Sequence, residues 1–206
     1  MLKEIFIGKR PSQFTTTHPF VKAFLISEMF LWSAHNLFMP IIAVYVIKNI
    51  KGGTLEVAAS GISVYLISRV LFELISGMFI AKGSDRRKLL IIISSMAFLS
   101  VSYLGFMVAT DLLTLFLSYF LMGLSLGLAS PVRMALFSTH LDRNKETEEW
   151  SFHDALSFIG MALAGALGGF IAQAYGFKIV FSASVILNLF SIVPYIAYFS
   201  KVDKNR

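Results

Sequence analysis

Apolar residues fill six long runs along this chain, each bounded by glycine, proline or charge. A helix needs about 20 mostly apolar residues to cross the hydrocarbon of a bilayer. The runs reach that length: roughly Phe20 to Ile47, Leu55 to Ala81, Leu89 to Thr110, Leu112 to Leu141, Ser151 to Tyr175, and Phe177 to Ser200. The pattern predicts an all-α fold, a bundle of six transmembrane helices over residues 20–200. Residues 1–19 read as a short lead-in and 201–206 as a tail. Connections as short as KNIKGG, KGSDRR and AYGFK make neighbouring helices antiparallel.

Composition removes the soluble alternative. Of 206 residues, 56% are hydrophobic and 15% charged, with 20 Phe, nine Met and a mean hydropathy of +0.73, so a soluble fold would expose much apolar surface to water. The formal charge of +6 does not indicate nucleic acid, because the bases sit between apolar runs and form no soluble basic face. The partner they imply is the lipid bilayer. With no cysteine there is no disulfide, thiol catalysis or Cys-ligated metal. The opening residues MLKEIFIGKRPSQFTTTHPF lack the apolar core and small-residue site of a cleavable signal.

The bases set an orientation. With the N-terminus inside, that side holds Lys3, Lys9, Arg10, Lys22, Lys82, Arg86, Arg87, Lys88, Arg143, Lys145, Lys201, Lys204 and Arg206, thirteen in all. The other side holds three, Lys48, Lys51 and Lys178. The asymmetry predicts a multi-pass protein of the cell membrane, plasma or inner, with both termini cytoplasmic.

Small residues mark close helix contacts. Gly123 and Gly127 form a GxxxG pair, and Gly160, Ala164, Gly168 and Ala172 repeat every fourth residue, with Gly165 and Gly169 alongside. Such spacing lets backbones pack closely, or slide in a moving protein. Ser151 followed by Asp154 fits a capping box opening the fifth helix, with Trp150 at the interface. His153 and Asp154 then belong to the helix terminus.

Charges inside hydrocarbon cost about 2.5–3.5 kcal/mol each on insertion scales, so each needs a partner or a wet cavity. The first run carries Glu28, His35 and Asn36; Glu28 and His35 share a face that Met39 continues. The second carries Tyr65, Arg69, Glu73 and Ser76 on one face. Arg69 and Glu73 can pair within the helix, or either can reach Glu28. The cluster either fixes packing or forms a wall that binds a polar solute or exchanges a proton through Glu28, Glu73 or His35. Arg133, after Pro131, is expected to snorkel to lipid phosphate. Asn188, alone in the sixth run, is expected to hydrogen-bond another helix.

Four motifs carry a family resemblance. Between the second and third runs stand Gly77, Ala81, Arg86, Arg87 and Lys88, with Lys82 and Asp85 departing from the pattern. GLSLGLASP starts at Gly123, GMALAGALGG at Gly160 and GFKIVF at Gly176. In this order the motifs resemble the major facilitator superfamily of secondary transporters. Lys82 stands where that family has an acid, Asp85 where it has a glycine, and Tyr119 where it has an arginine. The resemblance implies one six-helix half of a twelve-helix fold, with nested three-helix repeats and a solute bound between halves. It also implies a conformational role for the Gly77–Lys88 loop.

Three function classes follow. The first is a half-size solute transporter working by alternating access, as a homodimer or with a second six-helix half. The second is a non-transporting assembly or scaffold subunit, or a degenerate half-transporter. The third, an intramembrane enzyme, needs a GxSG or HExxH constellation, and neither occurs. No catalytic residue, cofactor or metal site is expected.

Overall fold

In the computed structural model, which describes residues 18–204, six helical spans are long and apolar enough to cross a membrane. Residues 1–17, with Lys3, Lys9 and Arg10 of the charge count, lie outside the described residues, as does Arg206.

The first span is two helices, α1 (Pro19–Asn36) and α2 (Ile42–Asn49), joined through a 3-10 turn at Met39–Ile41. Pro40 is the cause: it has no amide to donate, and its ring crowds the carbonyl one turn back at Asn36. The second span, α3 (Leu55–Ile75), starts at a Thr54 cap that accepts from the Val57 amide at 3.2 Å. It ends in a π turn over Ser76–Ile80, with the Ala81 amide donating to the Ser76 carbonyl at 2.8 Å.

Next come α4 (Asp85–Val108), α5 (Leu112–His140), α6 (Glu146–Tyr175) and α7 (Phe177–Lys204). Ser84 caps α4, which begins about one turn before the predicted Leu89. Asp111 caps α5, and the hydrogen bonds it accepts from Thr114 hold its carboxyl below the usual carboxylate range.

The start of α6 corrects the capping expectation. Three acids, Glu146, Glu148 and Glu149, occupy its first turn, where the positive end of the helix dipole favours them. The helix therefore opens more than a turn before Ser151. Ser151 lies inside it, its hydroxyl donating to the Thr147 carbonyl at 2.7 Å.

The packing has an internal symmetry. α6 and α7 pack along α1 as α3 and α4 pack along α5, and α4 against α7 joins the two sets. Exchanging the first three spans with the last three leaves this scheme unchanged, as a nested three-helix repeat requires. α1 and α5 touch only lightly along a central seam. α3 and α6 flank it and are the least buried spans, at 17% and 22% of their most apolar stretches against 39–50% for the rest.

Glycines make the two flanking contacts. A Cβ on Gly127 of α5 would lie 2.5 Å from the Arg69 carbonyl oxygen of α3, and Gly123 meets the α3 backbone at Tyr65. On α6, Gly160 lies against the α1 backbone at Met29 and Gly168 against the backbone of Leu37, just past the end of α1. Gly165 is in ordinary contact with Pro40, and Gly169 faces open space. Asn188 of α7 donates to the Met96 carbonyl at 2.7 Å and shares a 2.8 Å hydrogen bond with Ser100, both on α4.

Candidate functional site

Two polar clusters meet on Trp32 of α1. The first lies toward the end of the bundle that holds loops 81–84 and 141–145. There Glu28 of α1 and Arg133 of α5 are fully buried, and Arg133 Nη1 donates to Glu28 Oε1 across the central seam. Trp32 Nε1 donates to the other carboxylate oxygen, Oε2, at 3.0 Å. His153 of α6 sets its Nε2 3.6 Å from that oxygen, while its Nδ1 lies 3.1 Å from Asp154 Oδ1.

An aromatic wall shields this cluster. Phe24 and Phe137 stack at 4.2 Å, with His153 5.3 Å from Phe24 and Trp150 edge-on to Phe137 at 4.8 Å. Tyr195 of α7 is also fully buried. Guanidinium, carboxylate and imidazole are thereby removed from water by α1, α5, α6 and α7, where an ion pair interacts strongly and any missing partner is costly.

The second cluster faces the seam from α3. Arg69 Nη1 donates to the Tyr65 hydroxyl at 2.9 Å, and its Nε lies 3.6 Å from Glu73. The Arg69 guanidinium sits 6.0 Å from the Trp32 ring centre, within cation–π range. His35 is edge-on to Trp32 at 5.8 Å and lies 5.9 Å from the Tyr65 ring; it is buried, with Nδ1 unpartnered. Asn36 turns back to the Trp32 carbonyl at 3.0 Å. The Arg69 and Glu73 side chains are 24% and 42% exposed, so this pair is open where the Glu28 pair is sealed.

Several expectations change. Arg133 does not snorkel: it is fully buried and ion-paired, because Glu28 needs a cation and α5 brings one within reach. Glu28 pairs with Arg133 and not with Arg69, which stays with Tyr65 and Glu73 on its own helix. His153 is not terminus chemistry, since the earlier start of α6 carries it into the bundle beside Glu28. Arg133, His153 and Trp32 are the site residues that spacing missed. A lone acid in the first run, with only two arginines inside the runs, was the available signal.

The loop after the π turn reads differently. Gly77 is exposed, and its nearest neighbour for an added Cβ is Pro131 at 4.0 Å. Lys82, Arg86 and Arg87 are exposed; Arg86 lies 5.6 Å over the Phe199 ring. Asp85 reaches His140 at the end of α5 at 3.6 Å and Lys88 at 3.9 Å, a contact inside this bundle. Tyr119 is fully buried, its ring filling the space a Cβ on Gly61 would need. A cavity of about 590 Å³ opens at the opposite end, between Tyr45, Asn49, Phe177 and Lys178, and touches none of these residues.

The arrangement of spans matches transporters of known structure. The sequence matches the Major Facilitator Superfamily over residues 24–206, and the chain belongs to that family. It is a multi-pass membrane protein with the fold of a six-helix unit. The chain is similar in structure to the POT family transporter PepTSo, with a TM-score of 0.75 and 13% identity over 86% of this chain and 37% of that one. It is similar to a peptide transporter, POT, solved as a mutant in complex with sulfate, with a TM-score of 0.76 and 16% identity over 95% of this chain and 41% of that one. It thus spans about two fifths of their length. A comparison with curated protein sequences finds no match.

Proposed function

We propose that this chain forms one side of a solute transporter, working by alternating access against a second six-helix unit, either another copy or a different half. The observation that carries the reading is the polar wall Trp32, His35, Tyr65, Arg69 and Glu73 on the seam between the two least buried spans. Those flanking spans expose large apolar side chains, among them Leu71 and Leu74 on α3 and Leu163 and Leu167 on α6, which a second unit would cover. In this reading Arg69, Glu73, His35 and Asn36 contact a polar solute, and Glu28 links binding to movement. The solved relatives are named as a peptide transporter and a POT family member; a polar solute with a charged end fits the Arg69–Glu73 pair.

Both termini lie in the cytoplasm in this arrangement. Lys82, Arg86, Arg87, Lys88, Arg143 and Lys145 share one end, and Lys48, Lys51 and Lys178 the other. Reconstitution in vesicles, alone and with a candidate second half, tests the proposal. Gradient-driven uptake that falls with Arg69→Leu while protein abundance holds is the expected result. No uptake across a broad solute panel, with the protein folded and monomeric, would sink it. The scaffold reading draws on Asp85, whose contact with His140 ties the loop to its own bundle. Crosslinking in native membrane to an unrelated protein, in place of a six-helix unit, would favour it.

A further inference from the structure

The Glu28 cluster is one proton short of complete. A carboxylate only accepts hydrogen bonds, so the 3.1 Å contact to Asp154 makes His153 Nδ1 a donor. In the neutral ring Nε2 is then an acceptor, and it faces Glu28 Oε2, also an acceptor, at 3.6 Å. His153 Nε2 has no hydrogen-bond partner, although it is shielded from solvent. Two buried acceptors facing each other form no bond until a proton lies between them.

We infer that Asp154, His153 and Glu28 form a proton-binding relay, in which Asp154 on the open face of α6 holds Nδ1–H and the added proton lies between Nε2 and Glu28. This rests on the transporter reading only for its purpose; the site stands on geometry. Asp154 is 62% exposed, His153 11% and Glu28 fully buried, so the imidazole bridges an accessible carboxylate and a sealed one. The added proton binds Nε2, the ring nitrogen without a hydrogen, reaching it from water as the ring swings toward the open face, while Nδ1 keeps the hydrogen it donates to Asp154. With Nδ1–H and Nε2–H both present, the imidazolium donates to a carboxylate at each end, and no group is left unpaired by the uptake.

A second transfer, from Nε2 to Glu28 Oε2, returns the neutral ring and makes Glu28 a neutral acid. That step strips Arg133 of its counter-charge. Arg133 already has Nε and Nη2 buried without partners, and a buried guanidinium without a carboxylate is strongly unfavourable. The proton therefore rests on His153 while α1 and α5 stay together, and reaches Glu28 only as Arg133 draws away. Since α1 and α5 otherwise touch lightly, this pair is a main tie between them, and proton position and helix separation are coupled.

The other groups facing the relay fit this assignment. From α1 Trp32 donates to Glu28, from α5 Arg133 does the same, and from α7 the Tyr195 hydroxyl is buried and unpartnered. On α6 itself Glu149 is engaged by the Asp142 amide at 3.0 Å. Arg69, across Trp32, is held by Tyr65 and Glu73.

Nitrogen NMR of the histidine rings in the full chain, embedded in lipid nanodiscs, tests this directly. The chain has four histidines, His18, His35, His140 and His153, so single His→Gln variants assign the signals. His153 should pass between a neutral ring protonated at Nδ1 and the doubly protonated ring, within about pH 5–9. Asp154→Asn changes an exposed residue and should fold; it should weaken proton affinity about tenfold. Glu28→Gln should weaken it as much or more, and if that variant fails to fold, Asp154→Asn decides.

A His153 ring that stays neutral down to about pH 5, or a titration that neither substitution moves, would overturn the relay. A normal titration in a protein with no solute uptake would leave the relay intact and remove the transporter reading. Uptake without any His153 titration would do the reverse.

Discussion

The chain holds two acid–arginine pairs about one Trp32 ring, and they are opposites in environment. Glu28 and Arg133 come from different helices and are sealed; Arg69 and Glu73 lie one turn apart on α3 and remain half open. The difference decides what each pair can do. A sealed pair on two helices locks them, because separating the charges in a low-dielectric interior is costly. The open pair on one helix reaches another only through the Arg69–Trp32 ring contact, and its groups are available to an incoming solute.

The largest test of the contrast removes one arginine at a time. Arg133→Leu leaves Glu28 buried with only His153 to neutralise it, and should destabilise the fold by about 3 kcal/mol. Arg69→Leu should cost no more than about 1 kcal/mol, because Glu73 keeps access to solvent. Thermal unfolding in detergent, read by the fraction of monodisperse protein, measures both. Equal losses would erase the distinction. Adding Glu28→Leu to Arg133→Leu sharpens it, since removing both charges should recover much of the stability that removing one destroys.

A smaller effect concerns how α3 is held. α5 meets α3 through backbone: a Cβ on Gly127 would come within 2.5 Å of the Arg69 carbonyl and 3.0 Å of the Glu73 amide. Gly127→Leu should therefore cost about 1–3 kcal/mol by overpacking, although both charges of the open pair remain. Gly169→Leu, where an added Cβ meets nothing within 4 Å, is the control and should be near neutral. A neutral Gly127→Leu would mean that the open pair, and not backbone contact, holds α3 in place.

Much of the fold was legible because hydrocarbon imposes a length and forbids unpaired charge. Six runs, their order and the helix contact of Asn188 follow from those two constraints. What stayed hidden needed more than one helix. Arg133 looks like a residue near a helix end until Glu28 is seen across the seam, and spacing along one chain does not say which helices adjoin. His153 was hidden by a boundary: polar residues Glu146–Glu149 read as loop, yet acids in a first turn are favourable, and the added turn moves the histidine inward. Pro40 was visible in sequence, and the break it makes lies where Gly168 of α6 meets the Leu37 carbonyl.

The smallest structural effect belongs to Glu73, and it separates packing from function most cleanly. Its side chain is 42% exposed and its ion-pair contact to Arg69 is 3.6 Å long. Glu73→Gln keeps the shape and an acceptor oxygen, so stability should change by no more than about 0.5 kcal/mol, the range of substitutions away from packed features. Solute uptake should fall by about tenfold if the carboxylate holds a cationic end of the solute, the equivalent of about 1.4 kcal/mol of binding. The two readouts are then decoupled at this position and coupled at Glu28, where the charge holds the helices together. Should Glu73→Gln lower both in proportion, the open pair is structural after all, and the wall of the site must be sought elsewhere along the seam.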